Sequence, residues 1–189
     1  LFVSNGSTDE SGDILSAAQK ENPNLRYFRI DPTGGPSAPR NHGIRQATGE
    51  VIILIDDDVL PEPDLVLEHA RFHREFQDLH HAGLGEVYIP PDLQSDPMAL
   101  FHSFPYHEVR GSESLSYLYF WTCNVSFKRN FMLHAGMFDE RFLFYEDVIC
   151  GHQMHSHGMK LHFVPLARGQ HLHEMKPSGV AAKGRFYGT

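Results

Sequence analysis

The sequence has little of what defines several large classes of protein. Its only two cysteines, Cys123 and Cys150, form no CxxC pair, which excludes a disulfide framework and the usual cysteine spacing of a zinc site. The longest apolar run covers residues 51–55, far short of the roughly 18 residues that cross a membrane. No basic segment followed by an apolar run opens the chain, so no secretory signal is expected. These absences favour a reducing compartment and predict a cytoplasmic protein without a transmembrane segment.

Basic residues are also in the minority. The chain has 16 Lys and Arg against 24 Asp and Glu, a formal net charge of -8. Because binding to a phosphate backbone needs a basic surface, nucleic acid is not expected as the main partner. A local basic site for a diphosphate remains compatible with this charge. The 189 residues, 41% of them hydrophobic, are enough for a real core, and we treat residues 1–189 as a single domain.

Histidine is unusually abundant, with 14 residues. Six of them lie in the last quarter of the chain: His152, His155, His157, His162, His171 and His173. Such a group is compatible with a zinc site. The absence of an H-E-x-x-H pattern instead favours a histidine-rich, solvated helix face.

Hydrophobic periodicity predicts strands that alternate with helices. Strands are expected at residues 1–3, 25–30, 51–55, 82–90, 119–127 and 160–165, and helices at residues 11–20, 39–49, 61–76 and 146–158, with a short helix before residue 136. This alternation is typical of an α/β fold. Residues 51–55 predict a strand buried on both faces. Residues 91–118 are expected to form a mobile, partly helical segment over a cleft, and residues 171–189 a loose tail.

Three consecutive carboxylates, Asp56, Asp57 and Asp58, follow the most strand-like segment. Ligands bind at the carboxyl ends of strands in open α/β sheets. Adjacent carboxylates repel each other unless a cation offsets their charge, and Asp56 and Asp58 point to one side of an extended backbone. Such oxygen ligands suit Mg²⁺ or Mn²⁺ shared with substrate phosphates. The alternative is an acidic surface turn, but the position after a buried strand favours a site.

Six short motifs together resemble those of family-2 glycosyltransferases. They are residues 4–9 (SNGSTD), 38–50 (APRNHGIRQATGE), 56–58 (DDD), 124–129 (NVSFKR), 136–140 (GMFDE) and 146–147 (ED), in the order and spacing of the family. The resemblance implies a GT-A fold, a three-layer α/β/α domain with a mostly parallel sheet. Residues 1–60 would form the donor half and residues 90–175 the acceptor half. Family members normally have one more strand and helix before the first motif, so the resemblance implies a version of the fold without them.

The resemblance also implies which residues bind the nucleotide-sugar donor. They are Asn5, Ser7, Arg40, Asp56 and Asp57. Asn5 matches an acidic residue that accepts a hydrogen bond from the nucleotide base, and an Asn carbonyl can also accept one. The alternative for Asn5 is an ordinary Asn-Gly turn. Arg40 matches an arginine near the donor diphosphate, and a guanidinium at a helix start suits phosphate; the alternative is a surface arginine.

The metal ligands and the catalytic residues follow from the same resemblance. Asp58 would bind Mg²⁺ or Mn²⁺, Asp56 would contact the ribose or the metal, and His171 or His173 would be a third ligand. The alternative for both histidines is an exposed tail. Asp147 would take the proton of the acceptor hydroxyl, with Glu146 orienting.

Each of these acidic and acceptor-side residues also has a structural interpretation. Carboxylates at a helix N-terminus also stabilise the helix dipole, which is the alternative for Glu146 and Asp147. Trp121 and Asn124 would lie on the acceptor side, with core packing as the alternative for Trp121.

The implied activity is metal-dependent, inverting and non-processive transfer of a sugar from a nucleotide-sugar to an acceptor hydroxyl. A UDP-sugar is the default donor by family frequency, and the acceptor would be a saccharide, a lipid-linked saccharide or another hydroxyl. The sequence lacks the membrane helices and the Q-x-x-R-W motif of processive synthases. A role in cell-envelope polysaccharide synthesis would place the protein in the cytoplasm or at the inner face of the membrane. Two alternatives stay open: a nucleotide-sugar-binding module without turnover, and a nucleotidyltransferase, for which residues 5–7 are a poor triphosphate loop.

Overall fold

The computed structural model describes residues 1–94 and 104–172. Its elements, in chain order, are β1 (Phe2–Asn5), α1 (Ser11–Glu21), β2 (Tyr27–Ile30), α2 (Ser37–Gln46), β3 (Val51–Ile55), β4 (Val59–Pro61), α3 (Leu65–Glu75), β5 (His81–Tyr88), α4 (Tyr106–Val109), a 3-10 turn (Tyr117–Tyr119), β6 (Asn124–Lys128), α5 (Arg129–Ala135), α6 (Glu146–Ser156) and β7 (Lys160–His171). The predicted α/β class is confirmed.

Two predicted strands differ most from their bounds in the structure. The strand expected at residues 119–127 begins only at Asn124, because the preceding residues form the 3-10 turn, in which Ser116 Oγ accepts from the Leu118 amide. The last strand continues to His171 because β7 pairs with β5 as far as Gln170 on one side and with β4 at residues 169–171 on the other. His171 therefore lies in a strand and not in a loose tail. The rest of that predicted tail, residues 173–189, lies outside the described residues.

The sheet is mixed, which corrects the expectation of a mostly parallel one. Five strands have the order β3-β6-β5-β7-β4, and β1 pairs with β2 in a separate, parallel two-stranded sheet. Strand β6 runs antiparallel to both of its neighbours, and β4 runs antiparallel to β7, so only β5 and β7 are parallel in the larger sheet. Two of these antiparallel pairings arise because the chain returns through the middle of the sheet as β6, against the direction of β3 and β5.

Strand β3 is an edge strand among the described residues. It pairs with β6 on one side only. Of its five residues only Ile52 is buried, so the expectation that the strand is buried on both faces is wrong. Ile52 is 8% exposed, whereas Ile55 is 40% exposed. Helix α2 contacts both sheets: Gly43 packs against Val3 of β1, and Ile44 joins the main core together with Ile52.

Close packing fixes the position of α6, which carries the acidic pair. A Cβ at Gly151 would lie 2.6 Å from the Tyr117 carbonyl oxygen and 2.7 Å from Phe120 Cβ, so this helix face must be bare. Phe120 and Met154 are fully buried in the same core. The N-terminus of α6 is therefore held against the body of the domain. No helix in residues 1–94 and 104–172 is long and apolar enough to cross a membrane.

Candidate active site

Arg40 connects two of the predicted acidic motifs. Its Nη1 donates to Glu146 Oε1 at 2.5 Å and its Nη2 to Asp56 Oδ1 at 3.3 Å. The Arg40 side chain is 17% exposed and that of Glu146 is 12% exposed, while the Arg40 guanidinium lies 5.6 Å from the centre of the Phe138 ring. Arg40 comes from the first turns of α2, Asp56 directly follows β3, and Glu146 begins α6. The structure thus unites residues that the sequence presents in three separate motifs.

Asp147 lies beside this ion-pair network in an environment suited to a base. Burial raises the pKa of its carboxyl above the ordinary value, and the Glu146 charge acts in the same direction. The Val148 amide, which donates to Asp147 Oδ1 at 2.7 Å, and the Arg40 charge oppose the rise. A carboxylate with a raised pKa takes up a proton more readily near neutral pH, as general-base catalysis requires.

Cys123 is buried close enough to the Asp56 and Asp147 carboxylates to be affected by their charge. Its backbone oxygen accepts from the Asp56 amide at 3.3 Å. Burial, with added repulsion from Asp56 and Asp147, raises the pKa of the Cys123 thiol to about 12. The thiol is therefore protonated and unreactive. Sequence reasoning missed this position, since a single cysteine directly before the motif at residues 124–129 carries no recognisable signal of its own.

Asp58 and His171 are brought together by the pairing of β4 with β7. Val59 is the register partner of His171, and the Leu172 amide donates to the Asp58 carbonyl oxygen at 2.8 Å. As a result, His171 Nε2 lies 3.4 Å from Asp58 Oδ2. Of the two histidines predicted as metal ligands, His171 therefore lies beside Asp58. His173 lies outside the described residues.

This pair fits a divalent cation that takes its remaining ligands from substrate. Mg²⁺ and Mn²⁺ sites commonly use one or two protein side chains together with phosphate oxygens and water. Within residues 1–94 and 104–172, no three His, Cys, Asp or Glu side chains form a group that could hold a metal. Asp56 as a contact of the ribose or the metal stays a prediction; its Oδ1 lies 3.3 Å from Arg40 Nη2.

The remaining histidines of the C-terminal group do not join this site. His152, His155 and His157 are all exposed on or just after α6, which confirms the solvated helix face. His162 is half-buried and stacks on Phe76 with ring centroids 4.7 Å apart.

On the donor side, Asn5 holds a neighbouring loop. Its Oδ1 accepts from the Thr33 amide at 2.8 Å and the Thr33 hydroxyl at 3.0 Å, and its Nδ2 donates to the Gly35 carbonyl at 3.4 Å. Gly6 has φ 72°, which agrees with the Asn-Gly turn interpretation. The Ser7 amide donates to Ser4 Oγ at 3.3 Å. The Asn5 carbonyl is thus already used within the protein, and Asp57 is exposed at the surface.

Trp121 belongs to an aromatic cluster. Its ring centroid lies 4.7 Å from that of Phe104, 5.3 Å from that of Tyr106 and 5.2 Å from that of Tyr119. Trp121 is only partly buried, so it packs against the core while keeping one part accessible.

Asn124 is a structural residue, contrary to the prediction that it lies on the acceptor side. It is fully buried, its Nδ2 donates to the Ala167 carbonyl at 2.8 Å, and its Oδ1 lies 2.9 Å from His69 Nε2. The side chain fills the irregularity between β5 and β7 at Gly85 and Glu86, where the register of the two strands shifts. The Asn124 side chain thereby provides a hydrogen-bond partner for backbone groups that the bulge leaves unpaired in the sheet.

The domain has the fold of the GT-A glycosyltransferases, with carboxylates, an arginine and a histidine grouped around the ends of β3, β7 and α6. It belongs to glycosyl transferase family 2, whose family model matches residues 1–131. The chain is 38% identical over 78 residues to a poly(ribitol-phosphate) beta-glucosyltransferase of Bacillus spizizenii, which is 41% of this chain and 12% of that protein. It is 33% identical over 84 residues to the uncharacterized glycosyltransferase YfnE of Bacillus subtilis, 44% of this chain and 21% of that protein.

Solved structures show the same fold at low sequence identity. S. aureus TarS 1-349 in complex with UDP-GlcNAc has a TM-score of 0.73 and 15% identity, over 95% of this chain and 50% of that one. The mannosyltransferase PcManGT from Pyrobaculum calidifontis, in complex with GDP-Man and Mn²⁺, has a TM-score of 0.65 and 18% identity, over 93% of this chain and 48% of that one. The chain therefore spans about half the length of these solved chains and a smaller share of the two curated relatives.

Proposed function

We propose that the chain transfers a sugar from a nucleotide-sugar to an acceptor hydroxyl, in an inverting, non-processive and metal-dependent reaction. The observation that carries this proposal is the network in which Arg40 binds both Asp56 and Glu146, next to Asp147 with its raised pKa. The network joins the residues assigned to the donor, in the half formed by residues 1–60, to those assigned to the acceptor, in residues 90–175.

Asp147 acts as the general base in this proposal. It accepts the proton of the acceptor hydroxyl while the hydroxyl oxygen attacks the sugar carbon and the nucleoside diphosphate leaves, a single displacement that inverts the configuration. Glu146 orients Arg40, whose guanidinium would bind the donor diphosphate. Asp58 and His171 would hold Mg²⁺ or Mn²⁺, which supplies positive charge to the departing diphosphate.

The donor class is supported by the relatives. UDP-GlcNAc and GDP-Man are bound by the two solved proteins above, and we propose a UDP- or GDP-linked sugar for this chain. The curated Bacillus relative acts on poly(ribitol-phosphate), which supports a role in cell-envelope polysaccharide synthesis with a saccharide, lipid-linked or polyol hydroxyl as acceptor. Such a role places the chain in the cytoplasm or at the inner face of the membrane.

The discriminating experiment measures binding and turnover in one preparation. We expect calorimetric titration with UDP and GDP to show binding that Mn²⁺ strengthens, and radiolabelled UDP- and GDP-sugars to lose sugar to an acceptor panel. Binding without transfer or donor hydrolysis would favour the binding-module alternative. Release of pyrophosphate from a nucleoside triphosphate and a sugar phosphate would favour the nucleotidyltransferase.

A further inference from the structure

An exposed aromatic run directly precedes the acidic pair. Residues 142–145 read Phe-Leu-Phe-Tyr, and we call them the aromatic loop. Phe142 is 41% exposed, Leu143 40% and Tyr145 67%. A single exposed hydrophobic side chain is common, but adjacent ones on an ordered surface mark binding sites.

The aromatic loop is anchored just before its start and at Leu143 within it. Asn41, buried in α2, donates to the Phe138 carbonyl at 2.8 Å and to Glu140 Oε1 at 2.9 Å, and it accepts from the Phe138 amide at 3.0 Å. Leu143 packs so closely on the neighbouring loop that a Cβ at Gly34 would lie 2.9 Å from its Cδ2. The aromatic loop is therefore exposed to solvent although its backbone is held in place by these contacts.

Tyr145 has a backbone conformation that its side chain does not favour. It has φ 57° and ψ 20°, in the left-handed region, as the cap residue before α6. Glycine or asparagine adopts this region with less strain. Local backbone preference therefore does not account for a tyrosine here, and 67% of the residue is exposed to solvent.

The position of Tyr145 relates it to the acceptor. Two residues of chain span at most about 7 Å, so the Tyr145 backbone lies within that distance of Asp147. An acceptor hydroxyl that gives its proton to Asp147 must come within hydrogen-bond reach of that carboxylate. The rest of the acceptor ring is then close enough to contact the Tyr145 ring, and the apolar face of a sugar packs on aromatic rings.

We propose that Tyr145, supported by Phe142, is the platform on which a pyranose ring of the acceptor stacks. The proposal deepens the proposed function and rests on it, since it takes Asp147 as the base that the acceptor approaches. It names the acceptor class as one with a pyranose ring beside the reacting hydroxyl.

The key variant is Tyr145→Asn, because asparagine tolerates the left-handed backbone and keeps the fold. Saturation-transfer NMR would measure binding of the methyl glycosides of glucose, galactose, mannose and N-acetylglucosamine in the presence of UDP. We expect at least one glycoside to bind the wild type, Tyr145→Phe to bind it equally, and Tyr145→Asn to bind it about tenfold more weakly. Ile14→Asn, at a 61% exposed apolar residue on α1, is the matched control and should bind like the wild type.

UDP titration of the same variants separates this inference from the proposed function. Unchanged UDP affinity in Tyr145→Asn with weakened glycoside binding supports the stacking platform. Equal glycoside binding in Tyr145→Asn and wild type, or no glycoside bound by the wild type, overturns it while leaving UDP binding as a separate test of the donor site. A parallel loss of UDP and glycoside binding also overturns it, because the aromatic loop would then belong to the donor site.

Discussion

Arg40 Nη1 donates to Glu146 Oε1 at 2.5 Å, although the two residues are 106 positions apart. The pair ties the start of α2 to the start of α6, and the second Nη of Arg40 extends the connection to Asp56. The Glu146 carboxylate is also favoured by the positive end of its helix. This network links Asp56, proposed for the donor side, to Glu146, proposed for the catalytic pair, so its removal should change both stability and activity.

We expect Arg40→Met to lower the free energy of unfolding by about 1–3 kcal/mol at pH 7, because it leaves the Glu146 carboxylate without its partner in a largely buried position. Asp56 contributes less, since its side chain is 39% exposed. Losing Arg40 also raises the pKa of Asp56 further, because Arg40 now opposes the effect of burial. A raised carboxyl pKa destabilises the folded state above that pKa, so the deficit should shrink as the pH falls towards 4.

Urea denaturation at pH 7 and pH 4.5 measures this difference. Arg71→Met is the matched control, because Arg71 is 58% exposed and pairs with Glu68 within one helix. Its effect should stay below about 1 kcal/mol, as for other surface pairs. Equal losses in the two variants would show that the Arg40 network contributes no more than a surface ion pair.

Asp58→Asn should abolish the strengthening of UDP binding by Mn²⁺, because it removes a charged oxygen ligand. The fold should be retained or slightly stabilised, since one of three repelling carboxylates is gone. Calorimetric titration with and without Mn²⁺ tests this, and Asp13→Asn, at an exposed position on α1, serves as the control. An unchanged Mn²⁺ effect in Asp58→Asn would remove Asp58 from the metal site.

Asp147→Asn should slow transfer on the order of a hundredfold or more, while the donor dissociation constant stays within about twofold. The amide keeps the size of the side chain but cannot take up the acceptor proton. The measurement compares the transfer rate and the donor affinity in one preparation, again beside Asp13→Asn. If donor affinity and rate decline together, Asp147 is a donor-binding or structural residue.

Gly85→Ala should destabilise the domain strongly, by about 1–3 kcal/mol or more. A Cβ at this position would lie 2.2 Å from Asn124 Nδ2 and 2.4 Å from the Ala167 carbonyl oxygen, where neither neighbour has room to move. Gly43→Ala, in α2, is the matched control, because its Cβ would meet Val3 Cγ2 only at 3.4 Å. Alanine favours a helix interior, so Gly43→Ala should be neutral or stabilise by up to about 1 kcal/mol. Thermal unfolding of both variants would show whether their effects differ in this way.

His73 should make stability depend on pH below neutrality. Burial lowers the pKa of its imidazole from 6.5 to about 4, so the fold favours the neutral form. The resulting stability is complete above about pH 6.5 and is lost as the pH falls towards 4, by about 2–3 kcal/mol. His73→Gln should flatten this part of the pH profile in urea denaturation, whereas His157→Gln, at an exposed residue, should not. A profile that His73→Gln leaves unchanged would refute the prediction.

Local patterns in the sequence predicted most of the elements, but not how the strands pair. The continuous apolar run at residues 51–55 is a strand as predicted, yet its place at a sheet edge depends on which strands flank it. His69 and His73 lie one turn apart on α3, and both face buried polar partners in β6. Their spacing is typical of a helix face, whereas the buried network with Ser126 and Asn124 could not be predicted from it. Asn124 was assigned to the acceptor by its motif, and only the packing of β5, β6 and β7 shows its structural role.

The sequence by itself determined the family and the chemical types of the site, because six motifs in one order specify both. The resemblance of these motifs to the family implied Asp58, Arg40, Glu146 and Asp147 as candidate site residues. Only the tertiary structure decided which of these groups meet. Arg40 faces Asp56 and Glu146, and Asp58 faces His171, because strand register and helix packing bring together residues that are distant in the chain. Those contacts depend on non-local packing, which local propensity and residue spacing do not specify.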